Sequence, residues 1–86
     1  MKDLEKLLKA LANRRRLTIL KYLKENGEAS VGDIAGAIPV SFQATSKHLG
    51  KLFALDIIDR EQKSSQMFYF LNKDQKSAVQ RILSLL

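Results

Sequence analysis

Two short amphipathic segments separated by only three residues constrain this chain more than any other feature. Ser30-Val31-Gly32-Asp33 is a capping box in its Asp form and opens a helix to about Ile38, with Ile34 and Ile38 on one face and Ala35 beside them. Pro39 stops that helix, because its ring cannot continue the hydrogen-bond ladder. Ser41 then caps the next helix, with Val40 and Thr45 placed for a hydrophobic staple. A link of Pro39-Val40-Ser41 is the tight connection that a helix-turn-helix needs.

The helix after Ser41 has two distinct faces. Thr45, Leu49 and Leu52 recur at i, i+4 and i+7 and share the inward side, with Phe42 and Phe53 at its margins. Gln43, Ser46, Lys47 and Gly50 recur on the opposite side, which is small, polar and singly basic. A helix seated by its apolar stripe and offering Gln, Ser and Lys outward suits the floor of a DNA major groove. Gly50 costs this helix about 1 kcal/mol relative to alanine.

Leu4, Leu7, Leu8 and Leu11 define a first helix over about residues 3–12. Asn13 caps a second through about Glu25, with Leu17, Leu20 and Leu23 inward and Lys21 and Lys24 outward, and Asn26-Gly27 ends it. After Leu55-Asp56 the period changes. Ile57–Glu61 and Met67–Leu71 are rich in β-branched or aromatic residues and flank the polar Gln62–Gln66, which predicts a hairpin with a loop of about five residues. Asn72 and Gln75 form a capping box for a last helix with Val79, Ile82, Leu83 and Leu86 on one face. The fold class is mainly α with a small β-hairpin wing, in the order α-α-α-α-β-β-α, with room for a short strand near Ala29; residues 1–86 form one domain.

Fifteen basic against nine acidic residues give a net charge of +6, a balance that favours an anionic partner. The surplus lies mainly in residues 1–28, while residues 29–56 are neutral overall, so phosphate contacts have to come largely from outside the reading helix. A domain this small buries only about 60% of its unfolded surface. Without cysteine it has no disulfide staple and no thiolate metal site. The apolar surface of the terminal helices exceeds what such a core needs, which points to a two-fold homodimer. No long apolar run and no signal-like start are present, so the expected location is cytoplasmic, with no membrane partner. A hydrolase is a distant third reading for want of a nucleophile–base pair, and no enzyme activity is expected: Ser46 and His48 are two apart on a helix and do not face each other. His48 is the sole histidine and lacks companion ligands for a metal. Arg14-Arg15-Arg16 opposes the helix dipole; these arginines read as structural or solvated, with Arg14 or Arg15 as accessory phosphate contacts.

The chain resembles winged helix-turn-helix repressors of the ArsR/SmtB family. Leu8-Lys9-Ala10-Leu11-Ala12, Arg16–Leu20, Ser30–Ala35, Thr45–Leu49 with Leu52, Leu55–Ile58 and Tyr69-Phe70-Leu71 carry the match in consistent order. The resemblance implies a homodimer on double-stranded DNA, repressing from an inverted-repeat operator, with no cofactor. It implies base reading by Gln43, Ser46 and Lys47; Phe42, at the start of the same helix, could touch a thymine methyl. Phosphate contacts fall to Ser41, His48 and the wing residues Lys63, Ser64, Ser65 and Gln66, and Arg60 on the first strand could join them. The dimer interface falls to Leu4, Leu7, Leu8, Leu11, Val79, Ile82, Leu83 and Leu86. Three departures stand out. Ser30, Val31 and Gly32 occupy the positions where the family's metal sensors carry cysteines, and the last helix has no histidine, with only Asp74 near its start, so metal sensing is not expected. Asp56 replaces the usual glycine before the wing, a position aspartate tolerates in left-handed conformation. Three signals stay open: a small-molecule effector at the dimer interface, temperature, or nothing beyond the protein's own concentration. The competing reading is a winged-helix module that docks a protein through Phe42.

Overall fold

The computed structural model describes all residues, Met1–Leu86. Helix α1 (Lys2–Leu11) carries Asp3 and Glu5 in its first turn and Lys9 in its last, each complementing the helix dipole. Helix α2 (Arg14–Asn26) opens on Asn13, whose side-chain oxygen accepts from the Arg16 N–H at 3.1 Å. It closes on Gly27 at φ 84°, a backbone setting that disfavours any residue with a Cβ. Its buried stripe is Ile19, Leu20 and Leu23. Leu17, expected inward, is only half-buried, because the stripe is rotated toward Ile19; Leu17 lies at its margin beside Ala12 and Leu86.

Strand β1 (Glu28–Ser30) leads straight into α3 (Val31–Ala37). The Ser30–Asp33 capping box is complete, with both hydrogen bonds at 3.1 Å. Ser41 caps α4 (Phe42–Ala54) by accepting from the Ala44 N–H. Thr45, Leu49 and Leu52 are fully enclosed, and the Thr45 hydroxyl is satisfied by donating to the Ser41 carbonyl at 2.8 Å. Asp56 takes φ 59°, the left-handed turn expected before the wing.

Strands β2 (Ile58–Lys63) and β3 (Gln66–Leu71) form the wing, and β1 adds to it in the antiparallel order β1-β3-β2. Lys63 pairs with Gln66, so the loop is the two residues Ser64-Ser65 and not the five from Gln62 to Gln66. The ladder wins those flanking polar residues because Ser64 accepts a positive φ of 57°, the sign that tight hairpin turns require at their first central position.

Helix α5 (Ser77–Ser84) begins later than expected, and Asn72 and Gln75 do not cap it. Their polar groups close the sheet instead. The Asn72 N–H donates to the Ile57 carbonyl, and Gln75 Nε2 donates to the carbonyls of Ile57 (2.7 Å) and Asn72 (2.8 Å). Asn72 Oδ1 accepts from the Asp74 N–H, an Asx turn that competes with helix initiation. Lys24 Nζ, at the end of α2, donates to the Leu83 carbonyl and fixes the end of α5.

The core gathers Ile19, Leu20, Leu23, Ile34, Leu49, Leu52, Ile57, Ile58 and Val79 from all layers. The architecture is a winged helix-turn-helix: α3 and α4 form the tight pair, and the sheet packs beside α4.

Candidate nucleic-acid interface

Because Thr45, Leu49 and Leu52 anchor α4, its opposite face is presented to solvent. Gln43, Ser46, Lys47 and Gly50 are all exposed. The α4 side chains bonded within the protein are Thr45 and His48, so Gln43, Ser46 and Lys47 keep their donors and acceptors free. Phe42, in the first turn, is 59% exposed, a large apolar side chain on a polar face. Ser41 Oγ accepts from the Ala44 N–H at 3.1 Å, which leaves its hydroxyl hydrogen free to donate. These five side chains, Ser41, Phe42, Gln43, Ser46 and Lys47, cluster on the first two turns of one helix.

His48 is placed differently. Its Nδ1 accepts from Arg16 Nε at 3.2 Å, and Arg16 Nη1 donates to the Ala10 carbonyl at 3.1 Å. The ring is half-buried against α2 and is not free on the reading face. Burial, and then the nearby charges of Arg16, Arg15 and Lys51, hold its pKa below the usual imidazole value. A neutral ring with Nδ1 as acceptor carries its proton on Nε2, and only that N–H is left to meet a phosphate. Arg16 is thus a structural arginine that joins α1, α2 and α4.

The wing cations are also engaged. The Arg60 guanidinium lies 4.1 Å from the centre of the Phe53 ring and fastens β2 to the end of α4. Lys63 Nζ bonds both carboxylate oxygens of Glu28, at 2.8 and 3.0 Å, and sits 5.7 Å from the Phe68 ring. The hydrogen bond to Glu28, with the charges of Glu28 and Glu61 adding to it, raises the Lys63 pKa. Ser64, Ser65 and Gln66 are exposed at the wing tip. Sequence reasoning identified the wing cations but not these partners; Glu28 lies 35 positions from Lys63, and no local pattern links them.

The eight leucine, isoleucine and valine positions expected at a dimer interface divide into two groups. Leu7, Leu11, Val79 and Leu83 are buried in the chain's own core. Leu4 and Leu8 are 43% and 45% exposed, and Ile82 and Leu86 are half-buried. Met1 and Leu85, which the periodicity did not single out, are the most exposed apolar side chains of all. One groove is lined by Met1, Leu4, Leu8 and Ala12 with Glu5 and Lys9, and the next by Ala12, Leu17 and Leu86 with Asn13, Arg14, Thr18 and Lys21, so apolar side chains bordered by polar ones extend from α1 to the end of α5.

Comparison with known proteins bears on the family and the fold. The model of the family described as "Bacterial regulatory protein, arsR family" matches residues 13–60, from the cap of α2 into β2. The transcriptional activator HlyU of Vibrio cholerae is 36% identical over 77 residues, covering 90% of this chain and 70% of HlyU. The cadmium resistance transcriptional regulatory protein CadC of Listeria innocua is 35% identical over 63 residues, covering 73% of this chain. The match takes in 53% of CadC, so the chain spans about half that relative's length. The solved structure of reduced HlyU from Vibrio cholerae superposes with a TM-score of 0.82 at 34% identity, covering 99% of this chain and 85% of that one. The chain belongs to the ArsR family of bacterial regulatory proteins.

Proposed function

We propose that this DNA-binding transcriptional regulator is a cytoplasmic homodimeric repressor that reads an inverted-repeat operator with α4. The observation that carries this reading is the unpartnered polar face of α4, with Gln43, Ser46 and Lys47 exposed beside Phe42 while the opposite stripe is fully buried. Gln can pair with an adenine edge, Lys with a guanine edge, and Ser with either. The apolar side chains from Leu4 and Leu8 to Leu86 support a two-fold dimer, in which the two α4 helices enter successive major grooves about 34 Å apart. Bound across a promoter, such a dimer excludes RNA polymerase. HlyU is named an activator, and activation would need the same DNA contact with a different operator position.

Metal sensing does not fit the residues present. Ser30, Val31 and Gly32 cannot supply thiolates, and the 86 residues hold no cysteine for a thiol switch either. The exposed Phe42 keeps one competing reading in view, a docking module for a protein partner.

Fluorescence anisotropy with DNA from upstream of the gene, against scrambled DNA across a salt series, tests the proposal. Preference for the upstream DNA and a log-linear fall with salt are expected, at a slope of about −0.9 per neutralised phosphate. Gln43→Ala and Lys47→Ala should each relax base preference at a cost of about 1–3 kcal/mol while leaving the fold intact. Absence of binding at low salt refutes the repressor and favours the docking module.

A further inference from the structure

Between α1, the start of α2 and the second half of α4 lies a half-open cavity of about 390 Å³. Lys6 and Lys9 of α1, Arg16 of α2 and Lys51 of α4 stand around it, and Ala10, Ala54 and Leu55 supply its apolar lining. Four cations and no acid line one hollow. The chain's one ion pair is Lys63 with Glu28 on the wing, so none of the four has a carboxylate partner. A concave wall of one charge sign concentrates the potential inside it and draws in counter-ions.

Helix dipoles account for part of this charge. Lys9 and Lys51 sit in the last turns of α1 and α4, where cations offset the partial negative charge of the helix ends. They do not account for Lys6, nor for the geometry of Arg16. Its guanidinium has five N–H donors; Nε is bound to His48 Nδ1 and one hydrogen of Nη1 to the Ala10 carbonyl. Three donors stay free on a fork already fixed in orientation, the arrangement that binds a carboxylate or phosphate with little further loss of freedom. The volume is within the range of about 300–1,000 Å³ usual for small-molecule sites.

We propose that this cavity binds a small organic anion, a carboxylate- or phosphate-bearing metabolite whose acidic group meets the Arg16 fork and the flanking lysines while its short apolar body lies on Ala10, Ala54 and Leu55. The ligand bridges α1 to α4. Its consequence for DNA binding rests on the function proposed above: α4 carries Gln43 and Lys47, α1 carries the exposed Leu4 and Leu8, and a bound anion cancels positive charge between them.

The test is made without DNA, so that its failure is separate from failure of the repressor reading. The ¹⁵N-labelled chain is titrated at constant ionic strength with inorganic phosphate, succinate and hexanoate, with sodium chloride as control, and followed by amide chemical shifts. Saturable shifts at Lys6, Ala10, Arg16, Lys51 and Leu55 with one of the three anions are expected, and the responding anion separates phosphate from carboxylate chemistry. The double variant Lys9→Gln/Lys51→Gln changes only exposed side chains, and its unperturbed spectrum reports an intact fold. Its affinity should fall at least about tenfold. Absence of saturable shifts with every anion overturns the site, as does equal affinity in the double variant. Shifts centred on Gln43 to Lys47 also overturn it, because the anion would then be occupying the DNA face.

Discussion

Gly50→Ala isolates the conformational cost of the reading helix from its contacts. Gly50 lies inside the 13-residue α4, is exposed, and a Cβ built on it meets no atom within 4 Å. No packing or steric term therefore opposes the change within the chain. What remains is helix propensity, worth about 0.8–1 kcal/mol in favour of alanine, part of it from restricting the unfolded chain. For a small domain this raises the melting temperature by about 4–8 °C. In urea, where small proteins have slopes of about 1–3 kcal/mol per molar, the midpoint should rise by about 0.3–1 M with the slope unchanged. Wild type and variant must be compared at equal protein concentration, since the proposed dimerisation would contribute to apparent stability. An unchanged or lowered midpoint at constant slope refutes the reasoning. The same variant addresses why glycine stands there at all. Gly50 shares its face with Gln43, Ser46 and Lys47, so a more stable variant that binds DNA less well locates a close approach of the α4 backbone to DNA.

Three further outcomes are expected. The depressed pKa of His48 means that the unfolded chain takes up the proton first as pH falls, so this group's stabilising contribution is present above about pH 6.5 and is lost as pH drops through the lower folded value. His48→Gln should lessen the loss of urea stability between about pH 7.5 and about pH 5.5, and equal losses in both proteins would reject the role of His48. Leu8→Glu, on the half-exposed side of α1, should give folded monomers by sedimentation, whereas a dimer of undiminished affinity would place the interface elsewhere. Ser64→Gly relieves the positive φ at the wing tip and should raise the melting temperature by an amount equivalent to at most about 1 kcal/mol; a lower value would show that the hydroxyl, not the backbone, sets that turn.

The parts of this fold that could be read from the sequence are those decided within a few residues. Asn13, Ser30 with Asp33, and Ser41 each bond to backbone or side chains three positions away, so cap and helix are encoded together. Gly27 and Asp56 occupy positive φ for reasons local to their turns. The errors lie where a side chain has a distant alternative. Asn72 and Gln75 match a capping box, but the Ile57 carbonyl, 18 positions from Gln75, needs a donor and takes Gln75 Nε2. The wing loop reads as longer because Gln62 and Lys63 on the outer strand β2 are polar, as is Gln66, which opens β3 beyond its pairing with β1. An outer strand tolerates polar residues, and register with β3 decided the matter. At the candidate site, the free side chains of α4 were legible from periodicity. The engagement of His48 by Arg16, 32 positions away, was not.

The net charge of +6 is unevenly available to DNA, because several cations are tied into the fold. Arg16 is bonded to His48 and Ala10, Lys24 to Leu83, Arg60 stacks on Phe53 and Lys63 is neutralised by Glu28. On the outward face of α4, Lys47 is the single cation. A lone protomer thus draws its phosphate contacts from cations outside that face, such as the exposed Arg14 and Arg15, and its base contacts rest on Gln43, Ser46 and Lys47. Joining two such protomers makes the second half-site contact intramolecular and multiplies a weak affinity without adding any new kind of contact. In the proposed homodimer, this intramolecular second contact would add to the affinity with which α4 reads DNA. The proposed dimer would hold two elements in register: α1, which carries the exposed Leu4 and Leu8, and α4, which carries the exposed polar face. Arg16 is the side chain that bonds to both.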